Sequence, residues 1–212
     1  MTSPIFYYKI YRKELPFNLK SKIILVIILV AAAVFVANSA LVIEKGTEGQ
    51  YTGVVAFDAH ASSGSDWDKI AAEISGNAVD INTLDLADLG VGKAVKFKAN
   101  VADFSSKANG KRKSMTVVPE NYSGNFKFTV QLGSIYSGTA VRDIQTVKAF
   151  GDFTNQTEWS QYAKALNTQL DKVIVEPLKI DDSIKGKTVN IIGAATATGS
   201  EVTITPVAMT IE

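Results

Sequence analysis

The stretch from residue 138 to residue 167 holds the densest group of side chains that could recognise a ligand. Its members carry guanidinium, carboxylate, amide or hydroxyl groups: Thr139, Arg142, Asp143, Asn155, Gln156 and Asn167. Such groups offer directed donors and acceptors, which suit a small polar ligand such as a sugar, or a protein partner. The same residue types also brace joints, because an Asn before a helix is normally a cap and an Arg beside an Asp is normally an ion pair. The pattern favours bracing over binding, and both interpretations stay open.

Residues that could support catalysis are scarce. The chain contains no cysteine and a single histidine, His60, which excludes cysteine nucleophiles and multi-histidine metal sites. No serine stands in a Gly-x-Ser-x-Gly turn, and the Gly-Lys pairs at residues 92–93 and 186–187 lack the spacing of a phosphate-binding loop. Asp143 and Asp152 could form the acid and base pair of a hydrolase, which is the weakest alternative. We therefore predict a protein that is not an enzyme and has no catalytic residue, metal or cofactor.

Two amphipathic helices must position the polar stretch. Trp67 follows a serine-rich turn, and Trp159 follows a polar segment that begins at Asn155, so each tryptophan is predicted in the first turn of a capped helix. Both helices then repeat apolar residues at steps of three and four, as expected of a helix that packs on a sheet. A short apolar segment precedes each helix and ends at Phe57 in one case and at Phe150 in the other. We predict both segments to be strands.

The strands that follow these helices also occur in matching order. Gly92 and Gly186 each lead a β-rich segment, and each segment is followed by a second strand with a Thr-x-x-Pro or Thr-Pro element. This order predicts a duplication, and a chance match of short apolar segments is the rival explanation. Alternating strands with one apolar face close naturally into a small barrel. The predicted fold is α+β, with two related OB-like β-barrel units, residues 44–137 and 138–212, each with a packed helix.

An uncharged apolar run from Ile23 to Ile43 precedes these units. As a helix it would be roughly 31 Å long, which matches the hydrocarbon core of a bilayer. Residues 1–22 form a basic head that stays in the cytoplasm under the positive-inside rule, so the rest of the chain lies in the periplasm or outside the cell. A cleaved signal peptide is the rival interpretation, although the run is longer than the about 7 to 15 apolar residues of such peptides. We predict a single-pass transmembrane helix in the inner, cytoplasmic membrane.

Charge and tether length narrow the choice of partners. Without its basic head the chain is slightly acidic, which argues against nucleic acid as a partner. The short segment after the apolar run favours a partner at the membrane surface, either a membrane transporter or a small polar ligand. The basic hairpin at residues 107–113 could touch anionic lipid headgroups, but a solvated tip is favoured because Asn109 and Gly110 form a turn signal.

Several short motifs resemble one protein family, the predicted periplasmic lipoproteins grouped as domain of unknown function 2291. The similarity is strongest at residues 138–143, 150–156 and 165–167, with further matches at 186–187 and 204–207. The resemblance implies a protein without an established biochemical activity, whose relatives are often encoded beside sugar transport systems. Members commonly carry a lipid-modified cysteine, and here a spanning helix would replace it.

We therefore expect a membrane-anchored binding or accessory protein of the periplasm, associated with a sugar ABC transport system. A structural module for protein contacts in the envelope is the alternative.

Overall fold

The structure, a computed structural model, describes residues 56–212. The predicted cytoplasmic head, residues 1–22, and the predicted anchor from Ile23 to Ile43 lie outside the described residues. No helix between residues 56 and 212 has both the length and the apolar content needed to cross a bilayer. The helices and strands of the described part belong to one unit, residues 57–212.

Five strands close into a barrel, and a short sixth strand extends the sheet beside β2. The strands are β1 Val79–Asp80, β2 Lys93–Lys107, β3 Arg112–Pro119, β4 Lys127–Leu132, β5 Thr188–Thr198 and β6 Glu201–Ile211. Their order is β1-β2-β3-β4-β6-β5, and β5 also pairs with β2, which closes the ring. β1 runs parallel to β2 and β4 runs parallel to β6, while the other pairs are antiparallel. The mixed α+β class is confirmed.

The barrel draws its strands from both predicted halves, so the prediction of two OB-like units is wrong. β2, β3 and β4 precede residue 138, whereas β5 and β6 follow it, and all five share one sheet. The strands led by Gly92 and Gly186 do exist, but they pair antiparallel with each other instead of opening separate barrels. The physical reason is the number of strands, because two strands after residue 138 cannot close a barrel and must pair with the first three.

Four α-helices occur in the described part, and a π-helix joins the last two. They are α1 Ala59–Gly76, α2 Ala140–Ile144, α3 Gln156–Leu170 and α4 Glu176–Leu178, with the π-helix at Asp171–Val175. Short 3₁₀ turns lie at Ile81–Thr83, Phe150–Asp152 and Asp182–Ile184. Side-chain caps begin the two long helices. Asn155 accepts from the backbone N–H of Glu158 at 3.0 Å, which confirms the polar cap predicted before Trp159. Asp58 accepts from the backbone N–H of His60 at 3.0 Å and caps α1, so the serine-rich segment lies inside this helix and the prediction of Trp67 in the first turn is wrong.

Helices α1 and α3 pack against each other, and their apolar stripes face the core. The buried residues of the two stripes are Trp67, Ile70, Ile74, Tyr162, Leu166 and Leu170. A buried hydrogen bond also joins the helices, since the Tyr162 hydroxyl donates to Asp66 Oδ2 at 3.0 Å. Burial, followed by this bond to Asp66, raises the pKa of Tyr162 and keeps its hydroxyl protonated.

The two tryptophans occupy unlike settings, which also argues against a duplication. Trp67 is buried, with 3% of its surface exposed, whereas Trp159 is half-buried among aromatic side chains. The strand predicted to end at Phe150 is wrong, because residues 145–149 are irregular and Phe150 begins a 3₁₀ turn. Its counterpart, the strand predicted to end at Phe57, lies partly outside the described residues, and residues 56 and 57 are not in a strand. Trp67 also lies in the middle of α1, whereas Trp159 lies in the first turn of α3. The similarity of the two segments therefore does not reflect a repeated fold.

Candidate functional site

Helix α2 gathers three of the predicted site residues into one hydrogen-bonded network. The Arg142 Nε donates to Asp143 Oδ1 at 2.7 Å, and the Arg142 Nη2 donates to the same oxygen. Thr139 closes the network, because its hydroxyl donates to Asp143 Oδ2 and accepts from Arg142 Nη2 at 3.2 Å. Each of the three side chains thus forms hydrogen bonds with the other two, as expected of a charge-assisted brace.

Arg142 ties this network to helix α3. Its guanidinium carbon lies 4.5 Å from the centroid of the Trp159 ring, and its Nη1 approaches the Trp159 carbonyl oxygen at 3.5 Å. Only 14% of the Arg142 side chain is exposed. A guanidinium over an indole face is attracted by the negative face of the ring, and partial burial strengthens that attraction. We call the contact between α2 and α3 through Thr139, Arg142, Asp143 and Trp159 the joint.

An aromatic cluster extends from the joint toward the surface. Its members are Phe57, Phe150, Phe153, Trp159 and Tyr162. Phe153 is central, with ring centroids 5.3 Å from Phe57, 5.0 Å from Trp159 and 5.1 Å from Tyr162. Phe150 lies at the outer edge, edge-on to Trp159 at 6.3 Å, and remains 53% exposed. The joint therefore holds a rigid set of rings, and Phe150 is the member that faces solvent.

The other predicted site residues lie on α3 and do not all reach the joint. Asn167 does, because its Nδ2 donates to the Gly138 carbonyl just before α2, at 3.4 Å. Asn155 caps α3 one turn before Trp159, and its side chain accepts from the Glu158 N–H instead of bonding to the network on α2. Gln156 is exposed on the first turn of α3, and its side chain has no hydrogen-bond partner among residues 56–212. The structure thus brings Asn167 to the network on α2 and leaves Asn155 and Gln156 apart from it.

Two further polar residues brace the segment after α2, and the sequence did not single them out. Gln145 is 6% exposed, and its Nε2 donates to the carbonyls of Arg142 at 3.1 Å and Lys148 at 2.6 Å, while its Oε1 accepts from the Lys148 N–H. Glu73 of α1 accepts from both the N–H and the hydroxyl of Thr146. In the sequence, Gln145 lies between the apolar residues 144 and 147. This position is only a weak indication that its side chain is buried.

The carboxylates near the joint serve their own neighbours. Asp143 is held by Arg142 and Thr139, and Asp152 is exposed and accepts from the Ala149 N–H at 2.8 Å. Within residues 56–212, no three side chains of the His, Cys, Asp or Glu type lie together as metal ligands would. Chemically, the arrangement is suited to fixing the aromatic cluster in place. The binding role of its polar residues stays a prediction.

Comparison with known proteins adds a family and a fold. A family model described as predicted periplasmic lipoprotein (DUF2291) matches residues 29–210. The chain is also similar to the crystal structure of an OB-fold protein from Thermotoga maritima, with a TM-score of 0.50 and 13% identity, over 74% of this chain and 99% of that chain. At this identity the likeness shows the fold alone, so the barrel of β2 to β6 is OB-like. No curated protein matches the chain.

Proposed function

The chain belongs to the family of predicted periplasmic lipoproteins named DUF2291, and on that premise we propose that it is a non-enzymatic accessory protein of the cell envelope that docks on a membrane partner through its aromatic cluster. The family description supports a location in the envelope. The fold supplies a rigid barrel with two long helices beside it. The proposed docking surface is the exposed edge of the aromatic cluster, at Phe150.

One observation carries this proposal, the exposure of Phe150 on a braced support. Among the large apolar side chains that are exposed in residues 56–212, Phe150 is the aromatic one, and the others are valines. Aromatic side chains on a rigid support lose little conformational freedom on binding and are enriched at the energetic centres of interfaces. The polar side chains of the joint already bond to one another, so a partner could cover this surface without leaving their charges unpaired.

The attachment to the membrane supports a partner at the same surface. We propose that the run from Ile23 to Ile43 remains as a single-pass anchor in the inner membrane, because the sequence has no cysteine to carry a lipid. A fully extended chain from Ile43 to Phe57 covers at most about 50 Å. Phe57 belongs to the aromatic cluster, so the proposed docking surface stays within that distance of the end of the anchor.

The proposed partner is a subunit of a membrane transporter. The resemblance described above implies relatives encoded beside sugar transport systems, so a sugar ABC transporter is the first candidate. A structural role in the envelope would use the same surface and differs only in the partner. A small polar ligand at Arg142 and Asp143 would first have to break their mutual bonds, and a hydrolase would need the Asp143 carboxylate freed from Arg142, so both are weaker proposals.

Co-purification tests the proposal. Full-length tagged protein is captured from detergent-solubilised membranes, and its partners are identified by mass spectrometry for the wild type, Phe150→Ala and Val118→Ala. Val118 is a matched control, since it is 51% exposed on a barrel strand outside the cluster. We expect a transporter subunit with the wild type and with Val118→Ala, and its loss with Phe150→Ala. Recovery of the same partner with Phe150→Ala, or of no membrane partner with the wild type, would contradict the proposal.

A further inference from the structure

A second site lies away from the aromatic cluster, in a cavity of about 400 Å³ at one end of the barrel. Three segments form its walls: the turn of the β2–β3 hairpin, the turn after β4, and the chain from the π-helix to Ile180. The lining side chains that carry charge are Lys111, Lys113, Asp171, Glu176 and Lys179. We call this space the Asp171 cavity.

Asp171 gives the cavity an acid that makes no bond within the described residues. It begins the π-helix and is 8% exposed, yet its carboxylate makes no hydrogen bond or ion pair with any residue from 56 to 212. Burial, and then the neighbouring charge of Glu176, raise the pKa of Asp171, while Lys113 acts in the opposite direction. The carboxylate oxygens of Asp171 still reach solvent, because among residues 56–212 the Tyr136 hydroxyl is the buried side-chain polar atom without a partner. A ligand that enters the cavity can therefore contact the Asp171 carboxyl group.

Tyr136 carries a buried hydroxyl near the cavity, although it is not one of the lining residues. It follows the turn at Gly133 and Ser134 that lines the cavity, and its buried hydroxyl has no hydrogen-bond partner among the described residues. Burial raises the pKa of Tyr136 above its usual range, and the charge of Asp171 adds to the effect. The hydroxyl is therefore neutral and can both donate and accept.

Lysines supply the positive side of the cavity. The half-buried Lys113 donates from Nζ to the Ile180 carbonyl at 3.3 Å, which leaves two of its three ammonium hydrogens for other acceptors. Lys111 and Lys179 are exposed on the lining, so their charges face the opening. A ligand of this cavity must be attractive to three ammonium groups and yet tolerate two carboxyl groups, those of Asp171 and Glu176.

We propose that the Asp171 cavity binds a phosphate group that retains a proton, as inorganic phosphate and phosphate monoesters do. The three lysines would hold the charged oxygens, and the carboxyl group of Asp171 would share a hydrogen bond with the P–OH group. Phosphate monoesters have a second pKa of about 6, so a fraction keeps this proton near neutral pH. Sulfate carries no such proton near neutral pH, and its oxygens would repel the Asp171 carboxylate.

Titration of the full-length protein in detergent tests the site. Thermal unfolding is followed while inorganic phosphate, glycerol phosphate or sulfate is added at matched ionic strength. We expect saturable stabilisation by both phosphates, and an apparent affinity for sulfate weaker by about tenfold or more, as for a lost hydrogen bond to a charged group. Equal effects of phosphate and sulfate would overturn the proposal.

Three variants separate recognition from folding. Asp171→Asn keeps the shape of the side chain and is expected to remove most of the preference for phosphate over sulfate. Lys113→Met is expected to weaken all three anions together, whereas Lys185→Met is the control, because Lys185 pairs with Asp103 and Asp182 outside the cavity. An unchanged preference in Asp171→Asn, or equal loss in the two lysine variants, would contradict the assignment.

The phosphate could come from solution or from a lipid headgroup. The full-length protein is therefore also placed in nanodiscs of phosphatidylcholine that contain either phosphatidic acid, a monoester, or phosphatidylglycerol, a diester without the second acidic proton. If the headgroup is the ligand, phosphatidic acid will suppress stabilisation by added phosphate and phosphatidylglycerol will not. If soluble phosphate is the ligand, both nanodiscs will respond alike.

Discussion

The joint and the Asp171 cavity both hold charged side chains beside helix α3. The two regions differ in the hydrogen bonds that these side chains make. At the joint, Arg142 and Asp143 bond to each other and to Thr139, and the guanidinium also rests on Trp159. At the other end of α3, Asp171 is more deeply buried and has no bond to any described residue. The polar groups at the joint therefore bond to one another, whereas the carboxylate of Asp171 has no partner among the described residues.

This contrast separates bracing from binding better than residue type does. A closed polar network contributes to stability, whereas a buried polar group without a partner lowers stability unless something else supplies the bond. The joint should therefore respond to mutation mainly through folding. The cavity should respond mainly through ligands and pH, and the following predictions test that division.

The largest effect is expected at Trp159. Replacement by alanine removes the ring that Arg142 covers and that packs on Phe153, so we expect a loss of about 2 to 4 kcal/mol in the free energy of unfolding. In a protein of this size that corresponds to a fall in Tm of roughly 4 to 16 °C, measured by thermal unfolding of the full-length protein in detergent. A loss below about 1 kcal/mol would mean that the joint is not a brace.

Arg142→Ala should cost less, about 1 to 3 kcal/mol, because it removes charge-assisted bonds but only a small apolar contact. Arg142→Lys keeps the charge and loses the planar fork, so it should recover only part of the stability. A double-mutant cycle with Asp143→Asn measures the coupling between the two side chains. Additive effects of the two substitutions would show that the observed ion pair contributes nothing to folding.

Local features of the fold were predictable from the sequence, and closure of the barrel was not. Asn155 caps α3, and Gly92 and Gly186 stand before strands, because caps and glycine turns depend on a few neighbouring residues. The pairing of β2 with β5 joins residues more than 85 positions apart and leaves no local signal. The matching order of segments in the two halves does not show which strands pair. It therefore predicts two barrels, whereas the chain forms one.

The Asp171 cavity was missed because the π-helix changes the periodicity of the stripe. Steps of three and four continued from α3 predict Val173 and Ile174 on the buried face. In the structure Ile174 packs against the core as predicted, whereas Val173 is 42% exposed and Asp171 is buried, because a π-helix has more residues per turn and rotates the following side chains. Gln145 was missed for a different reason, since its bonds to the backbone depend on how the loop after α2 folds.

The response to pH should distinguish the two ends of α3. Because the pKa of Asp171 is raised in the folded protein, the fold binds its proton more tightly than the unfolded chain does. Stability from this residue is therefore lost as the pH rises from the unfolded pKa, about 3.9, through the raised folded value. Asp171→Asn should flatten that decline. Chemical denaturation at a series of pH values measures the slopes, and identical slopes in the wild type and Asp171→Asn would contradict this account.

The smallest effect on folding is expected at Phe150, although it belongs to the same aromatic cluster as Trp159. More than half of its surface is already exposed, so Phe150→Ala should lower the free energy of unfolding by less than about 1 kcal/mol. Phe150 is proposed to act in docking and Trp159 in bracing. The two alanine variants therefore compare docking with bracing inside one aromatic cluster. Trp159→Ala should reduce stability and partner capture together, whereas Phe150→Ala should reduce capture while the Tm stays close to that of the wild type. If Phe150→Ala instead destabilises the protein as much as Trp159→Ala, its side chain belongs to the brace and not to a docking surface.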